Sequence, residues 1–244
     1  MLFRSTIRMA AGTYNETQQV LLAAGVSLEG AGATTIIKSS LTTDWKALIE
    51  GQSPEGSDGN QSISKIKLDG QNLSTFWGLR IAGRSNVRIH DITVVDFKDR
   101  GVIIDGRANN EDTPPVHYAT GVTFYNNTIL NSAAYNTANG VYGRGCLNIG
   151  ATEGMLIYNN VITQNQRPLG YNGWLIKGNA EGYNRGLKIY NNNFTKIPFH
   201  GSYAGDGGWD FAIEMFHDEG TEFYNNNVNG GAFDTNYQLK GPYS

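Results

Sequence analysis

An internal repeat constrains the fold of this chain more than any other feature of its 244 residues. The pattern Gly-x-x-x-Tyr-Asn-Asn begins at Gly121, Gly154, Gly186 and Gly220, so successive copies start 33, 32 and 34 residues apart. Weaker copies lie upstream, at residues 86–91 and 65–70. A repeat of this length is typical of a solenoid or a related stacked architecture, in which each unit packs on its neighbours.

Each copy predicts a short β-strand that ends in a tight bend. In the third copy Leu187 and Ile189 alternate with Lys188 and Tyr190, which is the pattern of a half-buried strand. Asparagine tolerates the left-handed backbone conformation, so the Asn pair suits a sharp turn. Asn side chains stacked at equivalent turns can also hydrogen-bond along a ladder.

A second strand signal lies between these copies. Short segments of the form Gly-x-x-x-x-Gly occur at residues 78–83, 101–106, 145–150 and 173–178. Two strand signals in each repeat describe one coil of a β-solenoid. Helical repeats would need good helix formers at 3.6-residue spacing, and a β-propeller blade needs four strands in about 40–45 residues. The sequence therefore favours a β-solenoid over both.

Two N-terminal segments resemble the first coils of the pectate-lyase-like β-helix superfamily. They read Met9-Ala-Ala-Gly-Thr-Tyr-Asn-Glu16 and Val26-Ser-Leu-Glu-Gly-Ala-Gly-Ala-Thr-Thr-Ile-Ile37. The resemblance implies an all-β chain that folds as a single-stranded right-handed parallel β-helix, with residues 1–244 in one domain. It implies no single chemistry, because the superfamily includes lyases, hydrolases, epimerases, esterases and non-enzymatic phage and adhesion proteins.

The two ends of the sequence lack visible caps for a solenoid core. Members of the superfamily usually begin with an amphipathic helix, and none is visible before Met9. The chain also stops shortly after a strand-like segment. Because solenoid ends need capping, two expectations stay open. Either the chain is a fragment of a longer β-helix protein, or a partner covers the ends, which includes oligomerisation through them.

Charge and hydropathy restrict the partners of the chain. The net charge of −3, without a basic cluster, argues against nucleic acid as the main partner. No apolar run reaches the roughly 20 residues that cross a bilayer, and the start of the sequence has no signal-peptide core. The only cysteine, Cys146, lies among apolar residues and is expected to be a buried structural thiol. The resemblance, and not these features, implies a secreted or cell-surface protein, although no signal peptide is visible in the sequence.

Aligning the glycine-bracketed strands on their closing glycine predicts a polar outer column. The alignment gives Asp105 and Lys177 equivalent positions, and the next strand adds Glu214 beside Lys177, with Asp210 on the same face. Paired carboxylates with a cation can carry out acid–base chemistry on sugars. In hydrolysis one carboxyl protonates the leaving oxygen, whereas in elimination Lys177 would remove a proton at C5 of a uronic acid. The open alternative is a surface ladder of salt bridges.

Aromatic and basic residues predict how a glycan would be held. The repeated tyrosines form an outer column that offers rings for stacking on sugars or, alternatively, simple cross-strand packing. The segment 207–220 is rich in aromatic and acidic residues, and the long links carry arginines that suit uronate or sulfate groups. The candidate substrate-binding residues are Arg144, Arg167, His217, Trp209, Tyr158, Tyr190 and His200.

The sequence assigns no metal ligand and no certain cofactor. No His/Cys cluster has zinc spacing, whereas Ca²⁺ stays an open alternative through the carboxylates of Asp105, Asp210, Glu214 and Asp218. The leading interpretation is a carbohydrate-active enzyme, a polysaccharide lyase or glycoside hydrolase, that cleaves a neutral or uronate-containing polysaccharide in a groove along the helix. The alternative is a non-catalytic glycan-binding or adhesive β-helix, such as a phage tailspike or a bacterial surface protein.

Overall fold

The chain winds into parallel coils of β-strands, as the repeat and the resemblance predicted. A computed structural model describes residues 4–72, 74–109, 113–133, 145–165, 174–178, 182–196, 211–215, 217–230 and 232–234. Every named element within these ranges is a β-strand, and strands of successive coils pair in parallel. The fold is therefore the expected right-handed parallel β-helix. Within the described ranges, no helix is long and apolar enough to span a membrane.

Each complete coil contributes one strand to each of three walls. Wall 1 contains Val20–Leu21, the first parts of Ala47–Ser64 and Trp77–His90, Arg100–Asp105, Gly145–Gly150, Trp174–Gly178, Phe211–Glu214 and Ala232–Asp234. Wall 2 contains Ser5–Arg8, Val26–Glu29, the last parts of the same two long strands, Thr123–Tyr125, Leu156–Tyr158, Lys188–Tyr190 and Glu222–Tyr224. Wall 3 contains Gly12–Glu16, Thr35–Ser39, Lys67–Asp69, Thr93–Val95, Thr128–Leu130, Val161–Gln164, Asn193–Lys196 and Asn227–Asn229.

Two long strands join wall 1 to wall 2. Ala47–Ser64 and Trp77–His90 bend through the corner between the walls, so both walls belong to one hydrogen-bonded sheet. In later coils the corner holds loops and a small two-stranded sheet of Asn184–Arg185 and Asp218–Glu219. The structure of this corner therefore differs from coil to coil.

Left-handed backbone positions at both ends of the wall 2 strands explain the repeat. The opening glycines of the four copies have φ between 62° and 66°, and the first Asn of each pair has φ between 53° and 56°. Glycine and asparagine adopt this conformation more readily than other residues. In the coil before Gly121, Asn86 and Asp91 take the two positions, and in the preceding coil Asn60 and Lys65 do so. The prediction that 65–70 copies this strand was wrong, because Lys65 closes wall 2 and Lys67–Asp69 belongs to wall 3.

The second Asn of each pair forms the predicted ladder inside the turn. Asn127, Asn160, Asn192 and Asn226 stack at equivalent positions, and the first three are buried. The Asn160 side chain donates to the carbonyl of Phe124 at 3.0 Å and accepts the amide N–H of Asn127 at 2.9 Å. The other three members repeat this bond to a carbonyl of the preceding coil, three residues before the position equivalent to the Asn. The ladder therefore satisfies backbone groups that the turn would otherwise bury without partners.

The core is a stack of aliphatic columns inside the three walls. One column on wall 1 runs through Ile49, Leu79, Val102, Leu147, Ile176 and Ile213, all of them buried. Burial of one such side chain contributes about 1.5–3 kcal/mol, so the column holds successive coils together. The predicted buried state of Cys146 is confirmed, and burial raises the pKa of its thiol to about 12.

The glycine-bracketed segments are wall 1 strands, but their glycines are not all equivalent. Trp77, Arg100, Gly145 and Trp174 share one position, so the glycine frame slips by one residue in the third strand and by two in the fourth. The slip occurs because strand register follows the buried apolar residues rather than the glycines. The closing-glycine alignment was therefore wrong for the third and fourth strands. In the third strand, Leu147 and Ile149 both point into the core.

Candidate functional site

The outer face of wall 1 carries the predicted neighbours Lys177 and Glu214. The two residues are partners in the parallel register, and the Lys177 Nζ lies 2.8 Å from the Glu214 Oε1. Their side chains are only 8% and 2% exposed. The expected juxtaposition of these two residues is confirmed, although their catalytic role stays a prediction.

The ion pair lies in a setting that strengthens electrostatic interactions. The Lys177 Nζ also sits over the ring of Trp174, 5.0 Å from its centroid, which is a cation–π geometry. The neighbouring outward residue, Asn148, is buried and bonds to Gly145 of its own strand. Removing two charges from water has a cost that mutual attraction offsets only in good geometry. The pair favours a charged ammonium and a charged carboxylate, so Glu214 can accept a proton and Lys177 can donate one.

Asp105 does not join this pair. It faces the same side of wall 1, but its register partners are Ala82 and Gly150, whereas Lys177 shares its position with Asn148 and Ile103. The offset is two residues and two coils, or about 7 Å along the strands and about 10 Å across them. The Asp105 Oδ1 accepts the amide N–H of Arg107 at 2.9 Å, which stabilises the turn after the strand.

A second buried ion pair lies in the same outer column, toward the N-terminal coils. The Arg80 Nη1 lies 2.8 Å from the Glu50 Oε1, and Gln19 also donates to Glu50. A cleft of about 560 Å³ opens beside the pair, and Trp45, which is 57% exposed, forms part of its lining. Sequence reasoning missed Glu50 and Arg80. An alignment on the aliphatic core column would have placed both residues in the same outer column as Lys177.

Aromatic and cationic side chains lie around the Glu50–Arg80 pair on wall 1. Trp77 donates through Nε1 to the Asp99 Oδ2 at 2.7 Å and packs edge-on against Trp45. The guanidinium groups of Arg80 and Arg100 lie 5.9 and 5.4 Å from the centre of the Trp77 ring. The outer face of wall 1 therefore combines aromatic faces with paired charges over several coils.

The tyrosine column forms a continuous stack on wall 2. His90, Tyr125, Tyr158, Tyr190 and Tyr224 stack with ring centroids 4.8–5.1 Å apart and interplanar angles of 2–8°. Both faces of Tyr158 and of Tyr190 are therefore covered by neighbouring rings. The geometry supports cross-strand packing rather than sugar stacking, and leaves ring edges and hydroxyls to contact a ligand. Burial, together with the adjacent Tyr125 and Tyr190, raises the pKa of Tyr158.

His217 and Asp218 lie at the corner between walls 1 and 2. The exposed His217 ring stacks on Tyr183, with centroids 4.2 Å apart. Asp218 is buried, and its Oδ1 accepts the Thr221 hydroxyl at 2.6 Å. Its Oδ2 finds no hydrogen-bond donor among the described residues. Burial raises the pKa of Asp218 to about 7, which the Thr221 bond counteracts in part.

Several predicted residues lie outside the described ranges. These are Asp210 among the catalytic candidates, and Arg144, Arg167, Trp209 and His200 among the substrate-binding candidates. Of the proposed calcium ligands, Glu214 is paired with Lys177 and Asp105 lies in another coil. Within the described parts of the chain, no three His, Cys, Asp or Glu residues form a group suited to a metal ion.

Comparison with known proteins agrees with the fold. No protein-family model and no curated protein matches the chain. The Dettilon tailspike protein aligns with 94% of this chain and 40% of its own, at a TM-score of 0.50 and 13% identity. A protein of Geobacillus virus E2 gives a TM-score of 0.46 at 16% identity, over 97% of this chain and 51% of its own.

A third solved structure is the catalytic domain of a GH87 α-1,3-glucanase in complex with tetrasaccharides. It gives a TM-score of 0.47 at 14% identity, over 89% of this chain and 41% of its own. At such identities the similarity is one of fold alone. The chain spans about half the length of these matched chains or less.

Proposed function

We propose that this right-handed parallel β-helix is a carbohydrate-active protein that cleaves a glycan chain lying along the outer face of wall 1. Successive coils stack about 4.8 Å apart, so equivalent side chains form straight columns that match an extended polymer. The columns of wall 1 carry aromatic rings and paired charges, which suit sugar rings and their hydroxyl or carboxylate groups. The acceptor and donor groups needed for bond cleavage lie in the same face.

The buried Lys177–Glu214 ion pair is the single observation that carries this proposal. The β-helix fold does not require charged residues on the outer face of a wall. A buried ion pair also adds little to stability compared with apolar packing. Positioned acid–base groups accelerate proton transfer when they sit in a shielded site next to the substrate. The pair supplies a proton acceptor and a proton donor 2.8 Å apart.

We assign Lys177 the role of the acid rather than that of the base. An ammonium beside a carboxylate favours the charged form of both groups, so Glu214 would be the base. In elimination, Glu214 would take the C5 proton of a uronic acid while Lys177 protonates the departing O4 as the C4–O4 bond breaks. In hydrolysis, Glu214 would activate water, and the acid that protonates the leaving oxygen would come from another residue, because the two groups act from opposite faces of the sugar and lie at least about 5 Å apart.

The test is cleavage of a polysaccharide panel by the wild type and by Glu214→Gln. We expect ultraviolet-absorbing unsaturated ends from uronate polymers or new reducing ends from neutral ones, and a loss of about 100-fold or more in the variant. The matched control is Glu222→Gln, which alters the Lys188–Glu222 pair of the same two coils on wall 2, whose side chains are 46% and 57% exposed. Circular dichroism verifies that both variants fold. Cleavage by Glu214→Gln at the rate of the wild type would contradict the proposal.

A second candidate function is glycan binding without cleavage, in an adhesive or tailspike-like role. The cleft beside Glu50, Arg80 and the exposed Trp45 favours it, because it offers a binding surface apart from the Lys177–Glu214 pair. Retention of a polysaccharide without any product would select this function. For either function we expect an extracellular or cell-surface glycan as the ligand, which fits a protein that acts outside the cell.

A further inference from the structure

Three side chains on wall 2 form a hydrogen-bonded chain at the edge of a cleft. The Ser62 Oγ lies 3.1 Å from the His90 Nε2. The opposite ring nitrogen, His90 Nδ1, lies 2.7 Å from the Asp91 Oδ2. With the Nδ1 proton donated to Asp91, Nε2 is free to accept the proton of the serine hydroxyl. This is the order of contacts in a Ser–His–Asp acyl-transfer site.

The sequence places these groups by departing from its own repeat. In the described later coils the last wall 2 residue and its left-handed neighbour are Tyr and Asn, whereas here they are His90 and Asp91. The left-handed turn at Asp91, with φ of 54°, brings the carboxylate back to the ring. His90 is the register partner of Ser64, so its ring reaches Ser62 on the diagonal. Where the later coils have Tyr and Asn, this coil therefore has His90 and Asp91, whose side chains can accept and donate protons.

The serine opens onto a polar cleft of about 500 Å³. Ser62 lines this cleft together with Arg88, its direct register partner, and Arg4. Other lining groups are short hydroxyls and amides, including Ser27, whose Oγ accepts the Ser62 amide N–H at 3.0 Å. The cleft lacks a large apolar surface, so it suits a polar ligand with a small acyl group.

We propose that Ser62, His90 and Asp91 form a second active site, which hydrolyses a short-chain ester such as an O-acetyl group on a carbohydrate. The ester chemistry rests on the geometry of the three residues alone. The assignment of a carbohydrate as the acyl carrier rests on the proposed function. The guanidinium of Arg88 supplies the positive charge that stabilises the oxyanion.

The reaction proceeds through an acyl-enzyme. The Ser62 Oγ attacks the ester carbonyl carbon while its proton moves to the His90 Nε2, and the ester C–O bond then breaks. The leaving alkoxide takes the proton from Nε2 and departs as a sugar hydroxyl. Water next attacks the acyl-serine, gives a proton to Nε2, and releases the carboxylic acid as the Ser62 hydroxyl recovers its proton. Asp91 holds the ring and stabilises the imidazolium in both steps.

The test uses the whole chain with p-nitrophenyl acetate and with acetylated polysaccharides. We expect turnover that falls by about 1000-fold or more in Ser62→Ala and in His90→Gln, mainly in kcat. Asp91→Asn should also lower kcat, and Arg88→Met should lower it without abolishing acylation. The matched control is Ser64→Ala, two residues along the same strand, which should keep the wild-type rate.

A fluorophosphonate probe gives an independent readout, because it bonds covalently to an activated serine with loss of fluoride. Labelling of the wild type and of Ser64→Ala, but not of Ser62→Ala, supports the site. Ester turnover at the wild-type rate in Ser62→Ala, or probe labelling that persists in this variant, overturns the proposal. Cleavage of p-nitrophenyl acetate without acetate release from any polysaccharide supports the ester site and overturns its carbohydrate assignment. Glu214→Gln should leave ester turnover unchanged, which separates this proposal from that for wall 1.

Discussion

Glu214 and Asp218 lie four residues apart, yet their carboxyl groups have opposite surroundings. Glu214 faces outward and pairs with the ammonium of Lys177. Asp218 is buried at the corner, beside Asn184 in the register, and its carboxyl accepts one side-chain hydrogen bond among the described residues, from Thr221. Burial without a cation disfavours the charged form, so the pKa of Asp218 rises to about 7. Glu214 is therefore the candidate for acid–base chemistry, whereas Asp218 is expected to make the stability of the protein depend on pH.

The raised pKa of Asp218 predicts that stability falls between about pH 4 and pH 7. In this range the native state binds a proton that the unfolded chain, with an Asp pKa near 3.8, has lost. The free energy of unfolding therefore decreases as pH rises and levels off above the folded pKa. Asp218→Asn should remove this slope and stabilise the protein at pH 8 by roughly 2–4 kcal/mol. Urea unfolding at pH values from 4 to 8 measures the free energy of unfolding of the wild type and of the variant.

The control for this prediction is Glu219→Gln, which alters the exposed neighbour on the same strand. It should keep the slope of the wild type. An unchanged pH slope in Asp218→Asn would mean that Asp218 ionises near its ordinary pKa in the folded protein.

Breaking the Lys177–Glu214 pair should cost far more than breaking an exposed pair. Lys177→Met leaves a buried carboxylate without its cation, which typically costs about 3 kcal/mol. The double variant Lys177→Met/Glu214→Leu should recover much of that loss, because neither charge of the pair remains. A double-mutant cycle measured by urea unfolding gives the coupling energy. The same cycle on Lys188 and Glu222 should give a coupling near zero, and equal couplings would refute the role of burial.

At the scale of the element, the two Asn residues of one turn perform different tasks. Asn159 is exposed and supplies the left-handed conformation, with φ of 55°. Asn160 is buried and bonds to Phe124, Asn127 and Asn192. The paired asparagines of the repeat therefore combine a conformational requirement with a hydrogen-bonding requirement.

Asn160→Ala should destabilise the protein more than Asn159→Ala. The first change leaves a buried carbonyl and a buried amide without partners, at a cost of about 2–4 kcal/mol. The second only strains a left-handed residue, at about 1 kcal/mol. Thermal or urea unfolding of the two variants compares them directly. The opposite order would show that backbone conformation, rather than the ladder, stabilises the turn.

The strands and turns of wall 2 could be predicted from sequence because their requirements are local. A left-handed turn selects Gly or Asn wherever it occurs, so the signal survives in each coil. Wall 1 was harder, since its register depends on which side chains fill the core and not on the glycines that flank it. The pairing of Lys177 with Glu214 was predictable because it was aligned on Ile176 and Ile213, whereas Asp105 was misplaced by glycine alignment.

The Ser62–His90–Asp91 chain was missed for a related reason. His90 and Asp91 were noticed only as a weak copy of Tyr-Asn, although the difference itself was the signal. Ser62 could not be found from the repeat, because its contact with His90 is diagonal across two coils and lies 28 residues away in sequence. Departures from a structural repeat are therefore the positions at which function is best sought.

At the scale of the molecule, stacking makes each wall a separate surface. Wall 1 presents the Lys177–Glu214 pair, and wall 2 presents Ser62 and His90 beside the tyrosine stack. The His90 coil lies three coils before that of Lys177, which corresponds to about 14 Å along the axis. The two proposed sites share no described residue. Their effects should therefore be independent, as expected for distant groups without common partners.

Independence predicts that the two proposed activities separate cleanly by mutation. Ser62→Ala should lose ester hydrolysis and keep wild-type cleavage of an unacetylated glycan, whereas Glu214→Gln should do the reverse. The double variant should lose both, and an equal mixture of the two single variants should restore both activities on an acetylated polymer, because neither site needs the other in the same molecule. Acetate release and chain cleavage are measured in the same reaction. Slower cleavage of the unacetylated glycan by Ser62→Ala would show that the walls are coupled and that the two sites act as one.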